Sequence, residues 1–319
     1  MLDAYSAALV VGAPIIRNSC KEFCRNLLLD IDFGEDFKPF NPSLAMINDH
    51  AFGIARVDNI SPHLDQIYTC NTQSAKNLFY QLNADLSVVN FNWLSFQSIP
   101  EDLESSWLSF EDLRLFSWQE NLWAIGALHI QYEYDGILDF SKMVCRQALA
   151  RLEGNKMILH KIFPSPLKLK EEKNWVPLVI GEDLYFVYSV DPLVLFKFTG
   201  EGLTYSSRES KKPSSHEKIR LRGGTQFVHW KGGLYLGIAH QQRIKTHKFY
   251  YLHELAVFDS KQMKMIETSE PFFLHKRGIE FAAGIMRCGD SMVISYGVSD
   301  AACYVNRLTD QDLEDWLIS

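Results

Sequence analysis

The most constraining feature of this sequence is a unit that occurs five times along the chain. Each unit is a short apolar run, a polar turn, and a second apolar strand that starts with an aromatic or aliphatic grouping. Runs of five to eight residues rich in Tyr, Phe, Val and Ile, separated by turn residues, are typical of β-strands. The turns centre near residues 49, 120, 182, 232 and 289. The pattern therefore indicates an all-β chain built from five successive hairpins.

The spacing of these turns favours one architecture. Intervals of about 50 to 70 residues correspond to a four-stranded propeller blade with loops. We therefore predict a single five-bladed β-propeller domain over residues 1–319, with short terminal helices near Cys20–Leu29 and Asp310–Leu317, the second capped by Asp310 or Thr309. The alternative is a pair of β-sandwiches that use the same hairpins. In a propeller, residues that carry chemistry are expected at blade intervals, since every blade contributes to the central channel.

Composition and charge narrow the class of protein. With 47% hydrophobic and 22% charged residues, the 319-residue chain can build a large core, which excludes a disordered or fibrous protein. The formal charge of −7 argues against a nucleic-acid or anionic-lipid surface but permits a local basic pocket. No apolar run reaches the ~20 residues that span a bilayer, and Ala7–Ile16 lacks a preceding basic residue. We expect a cytoplasmic protein with reduced cysteines.

Local motifs of common enzyme classes are absent. The sequence holds no nucleotide-binding glycine loop, no Gly-x-Ser-x-Gly element, no His-Glu-x-x-His and no Cys-x-x-Cys pair. Asp30-Ile-Asp32 has the form that many sugar-nucleotide transferases use to hold a divalent cation, but this tripeptide is common by chance. His247, His253 and Glu254 are typical of hydrogen-bonded residues on a strand rather than of ligands. We expect no metal and no cofactor.

Polar residues at a comparable phase of the units carry a resemblance to a known family. The segments are Phe40-Asn-Pro, Glu111-Asp-x-Arg114, Glu172-Lys-Asn-Trp175, a glycine-rich element before the strand that ends at His240, and Glu280-Phe-Ala-Ala-Gly284 followed by Tyr296-Gly-Val-Ser-Asp300. With these segments, the chain resembles the five-bladed propeller β-mannoside phosphorylases of glycoside hydrolase family 130 and their hydrolase and mannosyltransferase relatives. The resemblance runs from about Phe40 to Val305.

The resemblance implies roles for particular residues. Asp112 matches the proton donor of the family's Glu-Asp-Pro-Arg element, in which Leu113 replaces the proline here. Lys173, Asn174, Arg220 and His240 match phosphate-binding positions, and Asn41 and Arg56 match positions that contact the sugar or phosphate. The residues expected to bind substrate or phosphate are Asn41, Arg56, Arg114, Lys173, Asn174, Arg220, Arg222, His240, Tyr296 and Asp300. The sequence departs from the family around Arg222–Thr225 and at Ser295-Tyr296-Gly297.

The chemistry of these residue types favours a reaction with phosphate. An inverting glycosidase needs two carboxyl groups, one as acid and one to activate water. A phosphorylase needs only the acid, because phosphate is already anionic and basic side chains hold it. One matching aspartate with several basic residues therefore favours a phosphate-bearing reactant over water. Together with this chemistry, the resemblance implies a β-mannoside phosphorylase that takes inorganic phosphate and a small sugar or oligosaccharide. The sequence does not indicate an oligomeric state.

Three alternatives stay open. A β-mannosyltransferase would use GDP-mannose or mannose 1-phosphate as donor. A hydrolase would need a base such as Asp191, Glu280 or Asp300. A non-catalytic propeller would serve as an interaction platform. Two side chains carry further expectations: Glu111 should point away from Asp112 on an alternating strand, and Trp175 is the first choice for stacking on a sugar.

Overall fold

Five mainly antiparallel sheets follow one another along the chain, and each contains one of the predicted hairpins. The computed structural model describes residues 38–58, 76–98, 107–131, 133–134, 137–138, 143–206, 219–245, 248–275 and 277–318. Within these ranges the sheets form the five blades of a propeller ring, and the first strand packs against the last blade. The predicted all-β, five-bladed fold is therefore confirmed.

The first two blades are formed by the strands between residues 38 and 162. Blade 1 has the order β1-β2-β3-β4, and blade 2 has the order β5-β11-β10-β7-β6, with β8 and β9 as a separate two-stranded ribbon. Their strands are β1 (Lys38–Ile47), β2 (His50–Asp58), β3 (Lys76–Leu82), β4 (Val88–Trp93), β5 (Ser95–Gln97), β6 (Trp107–Trp118), β7 (Asn121–Gln131), β8 (Glu133–Tyr134), β9 (Ile137–Leu138), β10 (Val144–Glu153) and β11 (Lys156–Ile162).

The remaining blades complete the ring. Blade 3 has the order β12-β13-β14-β15, blade 4 the order β16-β18-β19-β20 with β17 also paired to β18, and blade 5 the order β21-β22-β23. Their strands are β12 (Val176–Ile180), β13 (Asp183–Ser189), β14 (Val194–Phe198), β15 (Leu203–Tyr205), β16 (Arg222–Gly223), β17 (Val228–Lys231), β18 (Leu234–Lys245), β19 (Lys248–Asp259), β20 (Lys264–Thr268), β21 (Glu280–Cys288), β22 (Ser291–Val298) and β23 (Ala302–Thr309).

All five predicted hairpin turns are present, and their backbone explains their residues. Tight β-hairpins need positive φ at the turn, which glycine adopts freely and asparagine and aspartate tolerate. Asn48 and Asp49 have φ of 48° and 60°, and Gly181, Gly232 and Gly289 have φ of 61°, 58° and 58°. These turns were predictable because their geometry depends on a few adjacent residues.

Hydrogen bonds between inner strands close the ring at its centre. The hydroxyl of Ser295 in blade 5 donates to the carbonyl of Pro42 in blade 1. In blade 4, the buried side chain of Gln226 donates to the carbonyls of Leu44 in blade 1 and Ile285 in blade 5. Five side-chain and backbone groups from three blades therefore satisfy one another at the centre of the ring.

Gly284 is required for this closure. A Cβ atom at Gly284 would lie 2.7 Å from Cα of Ser43 and closer still to the backbone nitrogen of Leu44. Because those atoms are backbone, they cannot rotate away, and Gly284→Ala is expected to lower the free energy of unfolding by about 3 kcal/mol. Urea unfolding measures the loss. Gly202→Ala is the matched control, since nothing lies within 4 Å of a Cβ there; equal stability of the two variants would contradict the tight closure.

The C-terminal helix α1 (Asp310–Ile318) is confirmed. Thr309 caps it: the Thr309 hydroxyl accepts from the Asp312 amide at 3.2 Å, and the Asp312 carboxylate accepts from the Thr309 amide at 2.8 Å. The helix packs on blade 4, where the rings of Trp316 and Phe272 are 5.2 Å apart. The predicted N-terminal helix, Asp30, Asp32, Cys20, Cys24, Cys70 and His247 lie outside the described residues.

Within the ranges described above, no helix is long and apolar enough to cross a membrane. Cys145, Cys288 and Cys303 form no disulfide. No group of three or more His, Cys, Asp or Glu side chains in the same ranges is arranged to hold a metal ion.

Candidate active site

Most of the predicted site residues lie at the end of the ring opposite the five hairpin turns. The strand register places them there: Phe40 pairs with Arg56 at the far end of the β1–β2 hairpin, and Arg222 pairs with His240 far from the turn at Gly232. Neighbouring blades run in the same sense. These positions therefore meet at one end of the ring, as expected for residues spaced at blade intervals.

Three of these residues share an unusual backbone conformation. Asn41, Asp112 and Asn174 have φ of 49°, 49° and 63°. Asn41 and Asp112 interrupt the strand register between Phe40 and Ser43 and between Glu111 and Arg114. Asparagine and aspartate tolerate this left-handed conformation better than other residues with a side chain. We call Asn41 and Asp112 the bulge residues, since a β-bulge re-aims a side chain away from strand alternation, whereas Asn174 precedes β12.

The bulges in β1 and β6 bring Asn41 and Asp112 together. The Asn41 Nδ2 donates to Asp112 Oδ1 at 2.9 Å. Arg56 Nη1 lies 3.8 Å from the same oxygen and 2.8 Å from Glu111 Oε2. The prediction that Glu111 points away from Asp112 is therefore wrong, because the bulge breaks the alternation and one guanidinium faces both carboxylates. We call Glu111, Asp112 and Asp300, together with Arg56, the acidic cluster.

Asp112 is ionised in this setting. Burial favours the neutral acid, but the charges of Arg56 and Arg114 and the hydrogen bond from Asn41 outweigh it, so the pKa of Asp112 lies below its ordinary value. The side chain is 30% exposed, so a ligand can reach it.

Asp300 belongs to the same cluster, and its pKa is shifted in the opposite direction. Burial, and then the negative charge of Asp112, raise the pKa of Asp300 to about 6, while Arg56 opposes the rise. Asp300 lies at the tip of the β22–β23 hairpin, where its φ is 48°. The amide of Ser299 donates to the carbonyl of Ile279 at 2.7 Å and fixes that tip to the start of β21.

Arg114 connects the acidic cluster to a basic one. It is only 1% exposed, its Nε donates to the Gly224 carbonyl at 2.5 Å, and its Nη1 donates to the Asp112 carbonyl at 2.6 Å. Its Nη2 is buried and has no hydrogen-bond partner among the described residues. Burial lowers the pKa of Arg114 to about 10 although Asp112 opposes the change, and the group remains a cation at neutral pH.

His240 and Arg222 extend this basic region. The His240 ring lies 4.7 Å from the Phe281 ring, and the Arg114 guanidinium lies 4.9 Å above the same ring. His240 is buried, its Nδ1 has no partner within the described part of the chain, and burial, with His253, Arg114 and Arg222, holds its pKa well below the ordinary value. Arg222 is exposed and opposite His240 in register. We call Arg114, Arg222 and His240 the basic edge.

Asn174 and Lys173 lie at the border of these clusters. A Cβ on Gly223 would be 3.0 Å from the Asn174 carbonyl, so Asn174 lies against the strand that carries Arg222. Lys173 is 57% exposed, with Nζ 3.6 Å from a Glu171 carboxylate oxygen, and its charge acts on His129. Lys173 therefore stands at the rim of the site.

Arg220 is engaged elsewhere in the structure. It forms an ion pair with Asp191 and donates from Nη1 to both carboxylate oxygens of Glu254, at 2.8 and 3.0 Å. These contacts join blades 3 and 4. Arg220 thus has two carboxylate partners in the structure, and its role in binding phosphate stays a prediction.

Two aromatic residues have core positions. Tyr296 is 2% exposed, packs 5.6 Å from the Tyr304 ring and accepts a hydrogen bond from Asn306 Nδ2 at 3.4 Å. Trp175 is 1% exposed and stacks on Phe163 between blades 2 and 3. The expectation that Trp175 stacks on a sugar is therefore wrong for this conformation, because both faces of its ring are covered by protein. A role for Tyr296 in binding stays a prediction.

Sequence reasoning missed His129 and Phe281. His129 Nε2 lies 3.5 Å from Glu111 Oε2, and burial lowers the pKa of His129, as does Arg56. A signal for His129 was present: it lies in the second half of β7, as Arg56 and His240 lie in the second halves of β2 and β18. Phe281 had no such signal, because its contact with the basic edge crosses from one blade to another.

His253 gives the fold a measurable pH dependence. Burial lowers the pKa of His253 to about 3, and its Nε2 accepts from the Ala282 amide at 3.3 Å. The unfolded chain, with a pKa near 6.5, binds a proton that the folded protein excludes, so His253 makes the fold less stable as pH falls below about 6.5.

We therefore expect His253→Gln to change the pH dependence of unfolding. Between pH 7 and pH 5 the variant should gain about 2 kcal/mol of stability relative to the parent, because it lacks the proton-linked penalty. Urea unfolding at the two pH values measures the difference. His50→Gln, at an exposed position, is the control. A parallel pH dependence of parent and His253→Gln would contradict a neutral buried imidazole.

Comparison with solved structures identifies the architecture. The chain is similar to a β-1,2-mannobiose phosphorylase from Listeria innocua in complex with β-1,2-mannobiose, with a TM-score of 0.60, 12% identity, and coverage of 92% of this chain and 97% of that one. The chain has the fold of a β-mannoside phosphorylase. The resemblance found in the sequence is confirmed at the level of the propeller fold.

Two further solved structures are similar in fold to this chain. One is described as showing that the GH130 family of mannoside phosphorylases contains glycoside hydrolases that target β-1,2-mannosidic linkages in Candida mannan (TM-score 0.58, 11% identity, coverage 86% and 85%). The other is a glycosyl hydrolase from Bacteroides ovatus (TM-score 0.57, 10% identity, coverage 86% and 84%). No protein-family model and no curated protein matches the sequence.

Proposed function

We propose that this protein transfers a β-mannosyl-type sugar to or from phosphate with inversion at the anomeric carbon, as a β-mannoside phosphorylase does. The observation that carries the proposal is the direct contact between the acidic cluster and the basic edge through Arg114. A buried guanidinium N–H without a partner is costly, and an anion would satisfy it. His240 Nδ1 offers a second unpartnered group beside the same ring.

The two clusters divide the reaction between them. The sugar would occupy the acidic cluster, where Asp112 and Asp300 meet its hydroxyls and the glycosidic oxygen. Phosphate would bind at the basic edge, where Arg114, Arg222 and His240 hold it close to the anomeric carbon. A phosphate oxygen then attacks that carbon while a carboxylic acid protonates the departing oxygen. Positioned cations supply the stabilisation of the anionic nucleophile.

The remaining carboxylates support phosphate rather than water as nucleophile. Of the three bases considered for a hydrolase, Asp191 is paired with Arg220. Glu280 accepts from the backbone amides of Leu274 and His275, at 2.5 and 2.9 Å. Only Asp300 lies with Asp112. A base on the opposite face of the sugar, as an inverting hydrolase needs, is not offered by either of the other two.

Phosphorus NMR tests the proposal directly. One sample contains β-1,2-mannobiose and inorganic phosphate, and a second contains mannose 1-phosphate or GDP-mannose with mannose. Appearance of a sugar phosphate in the first sample, or its consumption in the second, supports the proposal. Release of GDP would favour a sugar-nucleotide transferase, and mannose release without phosphate a hydrolase. If no sugar, sugar phosphate or sugar nucleotide reacts or shifts the melting temperature at millimolar concentration, the result favours a non-catalytic propeller that serves as an interaction platform.

A further inference from the structure

We propose that Glu254 is a positioning residue: through Arg220 it fixes the segment that presents Arg222 to phosphate, and Arg220 itself does not contact phosphate. We call Asp191, Arg220 and Glu254 the Arg220 clamp. This inference rests on the proposed function and gives Arg220 a different role from the phosphate-binding one that the family resemblance implies. Three observations carry it: the contacts of Glu254, the backbone contacts of the segment, and the faces of blade 4 on which the two arginines act.

Glu254 lies on β19 in a setting that requires a cation. Its side chain is only 2% exposed, and a buried carboxylate is costly unless it is paired and hydrogen-bonded. Arg220 Nη1 supplies the cation, at 2.8 and 3.0 Å from the two carboxylate oxygens, and Gln241 Nε2 donates to Oε1 at 2.9 Å. A move of Arg220 toward phosphate would break this pair and leave the buried carboxylate without its cation. The contacts therefore hold Arg220 at Glu254.

The backbone beside Arg220 is held by blade 3. The carbonyl of Asp191, between β13 and β14, accepts from the amides of Arg220 and Leu221 at 2.9 and 3.2 Å. The Val190 amide donates in return to the Leu221 carbonyl at 3.0 Å, and the Asp191 carboxylate pairs with Arg220 Nε. Leu221 is fully buried in the core between blades 3 and 4. The Arg220 clamp thus ties this segment to the neighbouring blade through side chains and main chain.

Arg222 depends on this anchor because its own strand is short. β16 consists of Arg222 and Gly223 alone, and Arg222 pairs there with His240 of β18. A two-residue ladder supplies few hydrogen bonds against the entropy of ordering the chain. The next residue, Gly224, presents the carbonyl that accepts from Arg114 Nε at 2.5 Å. A displacement of the clamp would therefore displace Arg222 and the acceptor of Arg114 together.

The two arginines act on opposite faces of blade 4. Arg222 lies opposite His240 in register, and the His240 ring packs on Phe281 of blade 5. Glu254 lies opposite Ala239, which packs in the core between blades 3 and 4. Because successive residues of a strand point to opposite faces, Glu254 faces blade 3, whereas His240 and Arg222 face blade 5. The arginine partner of Glu254 is thus drawn to the face that is turned away from the basic edge.

The phosphate affinity of Glu254→Gln tests the inference. Glutamine keeps the shape but removes the charge that holds Arg220, so KM for phosphate should rise about tenfold as Arg222 loses its position. The kcat at saturating phosphate and the KM for β-1,2-mannobiose should stay within about twofold of the parent values, since the acidic cluster is unchanged. Initial rates and calorimetric titration with inorganic phosphate measure these effects. If Arg220 bound phosphate directly, the same change would release it, and an unchanged or lower KM for phosphate would overturn the inference.

An Arg222→Met background shows whether Glu254 acts through Arg222. The effects of residues that share one contact network are not additive. Arg222→Met should raise KM for phosphate by itself, and the addition of Glu254→Gln should raise it by less than about twofold more. A further tenfold rise in the double variant would mean that Glu254 acts independently of Arg222, contrary to the inference.

Asp191→Asn weakens the same clamp with little risk to the fold, because the Asp191 side chain is 46% exposed. KM for phosphate should rise about threefold in this variant. Asp183→Asn is the matched control: Asp183, at the turn end of blade 3, is equally exposed and pairs with Lys197, and its loss should leave KM unchanged. Equal KM values for phosphate in the two variants, or a lower one in Asp191→Asn, would speak against the clamp.

Hydrogen exchange separates this inference from the proposed function. The amides of residues 220–224 should exchange several-fold faster in Glu254→Gln and Asp191→Asn than in the parent, and at the parent rate in Asp183→Asn. If the parent neither binds phosphate nor forms a sugar phosphate, the proposed function fails, while exchange still decides whether the clamp holds the segment. Unchanged exchange in both clamp variants overturns the inference even if phosphate reacts.

Discussion

Asp112→Asn is expected to reduce kcat/KM for sugar transfer to phosphate by at least about 10³-fold while the melting temperature stays within a few degrees of the parent value. The neutral amide removes the carboxyl group that meets the glycosidic oxygen in the proposed reaction. It keeps the Oδ1 that accepts from Asn41, so the bulge in β6 retains its hydrogen bond. Initial rates of sugar phosphate formation and a thermal unfolding curve measure the two effects.

The control for Asp112→Asn is Asp183→Asn. Asp183 lies at the start of β13, near the turn end of blade 3, where it pairs with Lys197 and is half exposed. Its neutralisation should leave the rate unchanged, since exposed ion pairs contribute little. If Asp112→Asn retained the parent rate, the acidic cluster would have no part in the reaction. If it unfolded the protein, Asp112 would be needed for the fold instead.

Arg114→Met is expected to be the most destabilising substitution in the site, with a loss of about 3 to 5 kcal/mol in the free energy of unfolding. Methionine fills much of the space but leaves the carbonyls of Asp112 and Gly224 without their donors. It also removes the cation from the Phe281 ring. Because those contacts lie in blades 2, 4 and 5, the loss should appear as a lower midpoint in urea unfolding.

A surface arginine provides the comparison for Arg114→Met. Arg151 is partly exposed and pairs with Glu153 on β10, so Arg151→Met should change stability by less than about 0.5 kcal/mol. Arg114→Lys keeps the charge but cannot serve both carbonyls with a planar fork, and it should be intermediate. Equal stability of Arg114→Met and Arg151→Met would show that the buried guanidinium is not needed for cohesion between blades.

The parts of this fold that the sequence predicts are those set by neighbouring residues. The turn at Asn48-Asp49 and the cap at Thr309 need only a few adjacent side chains, and both are confirmed. The phase of Asn41 and Asp112 in their units was also visible, since both precede a strand in corresponding positions. The spacing of the five turns along the chain then indicated a propeller.

The predictions that were wrong all involve contacts between blades or a break in the alternation of side chains along a strand. Glu111 faces Arg56 because of a bulge that strand periodicity does not reveal. Trp175 is covered because blade 2 packs against it. Each outcome depends on the packing of distant segments, which a single sequence does not encode in any local pattern. The roles assigned to the site residues stay predictions for the experiments above.

The bulge residues have a consequence for how such a ring can diversify. Each sits where the strand has already left regular pairing, so an exchange there alters one projecting group without disturbing the ladder on either side. Asn41 and Asp112 are two variants of the same backbone position. An ancestral ring of equal blades could therefore acquire new chemistry one blade at a time, with the scaffold and the reactive groups evolving almost independently.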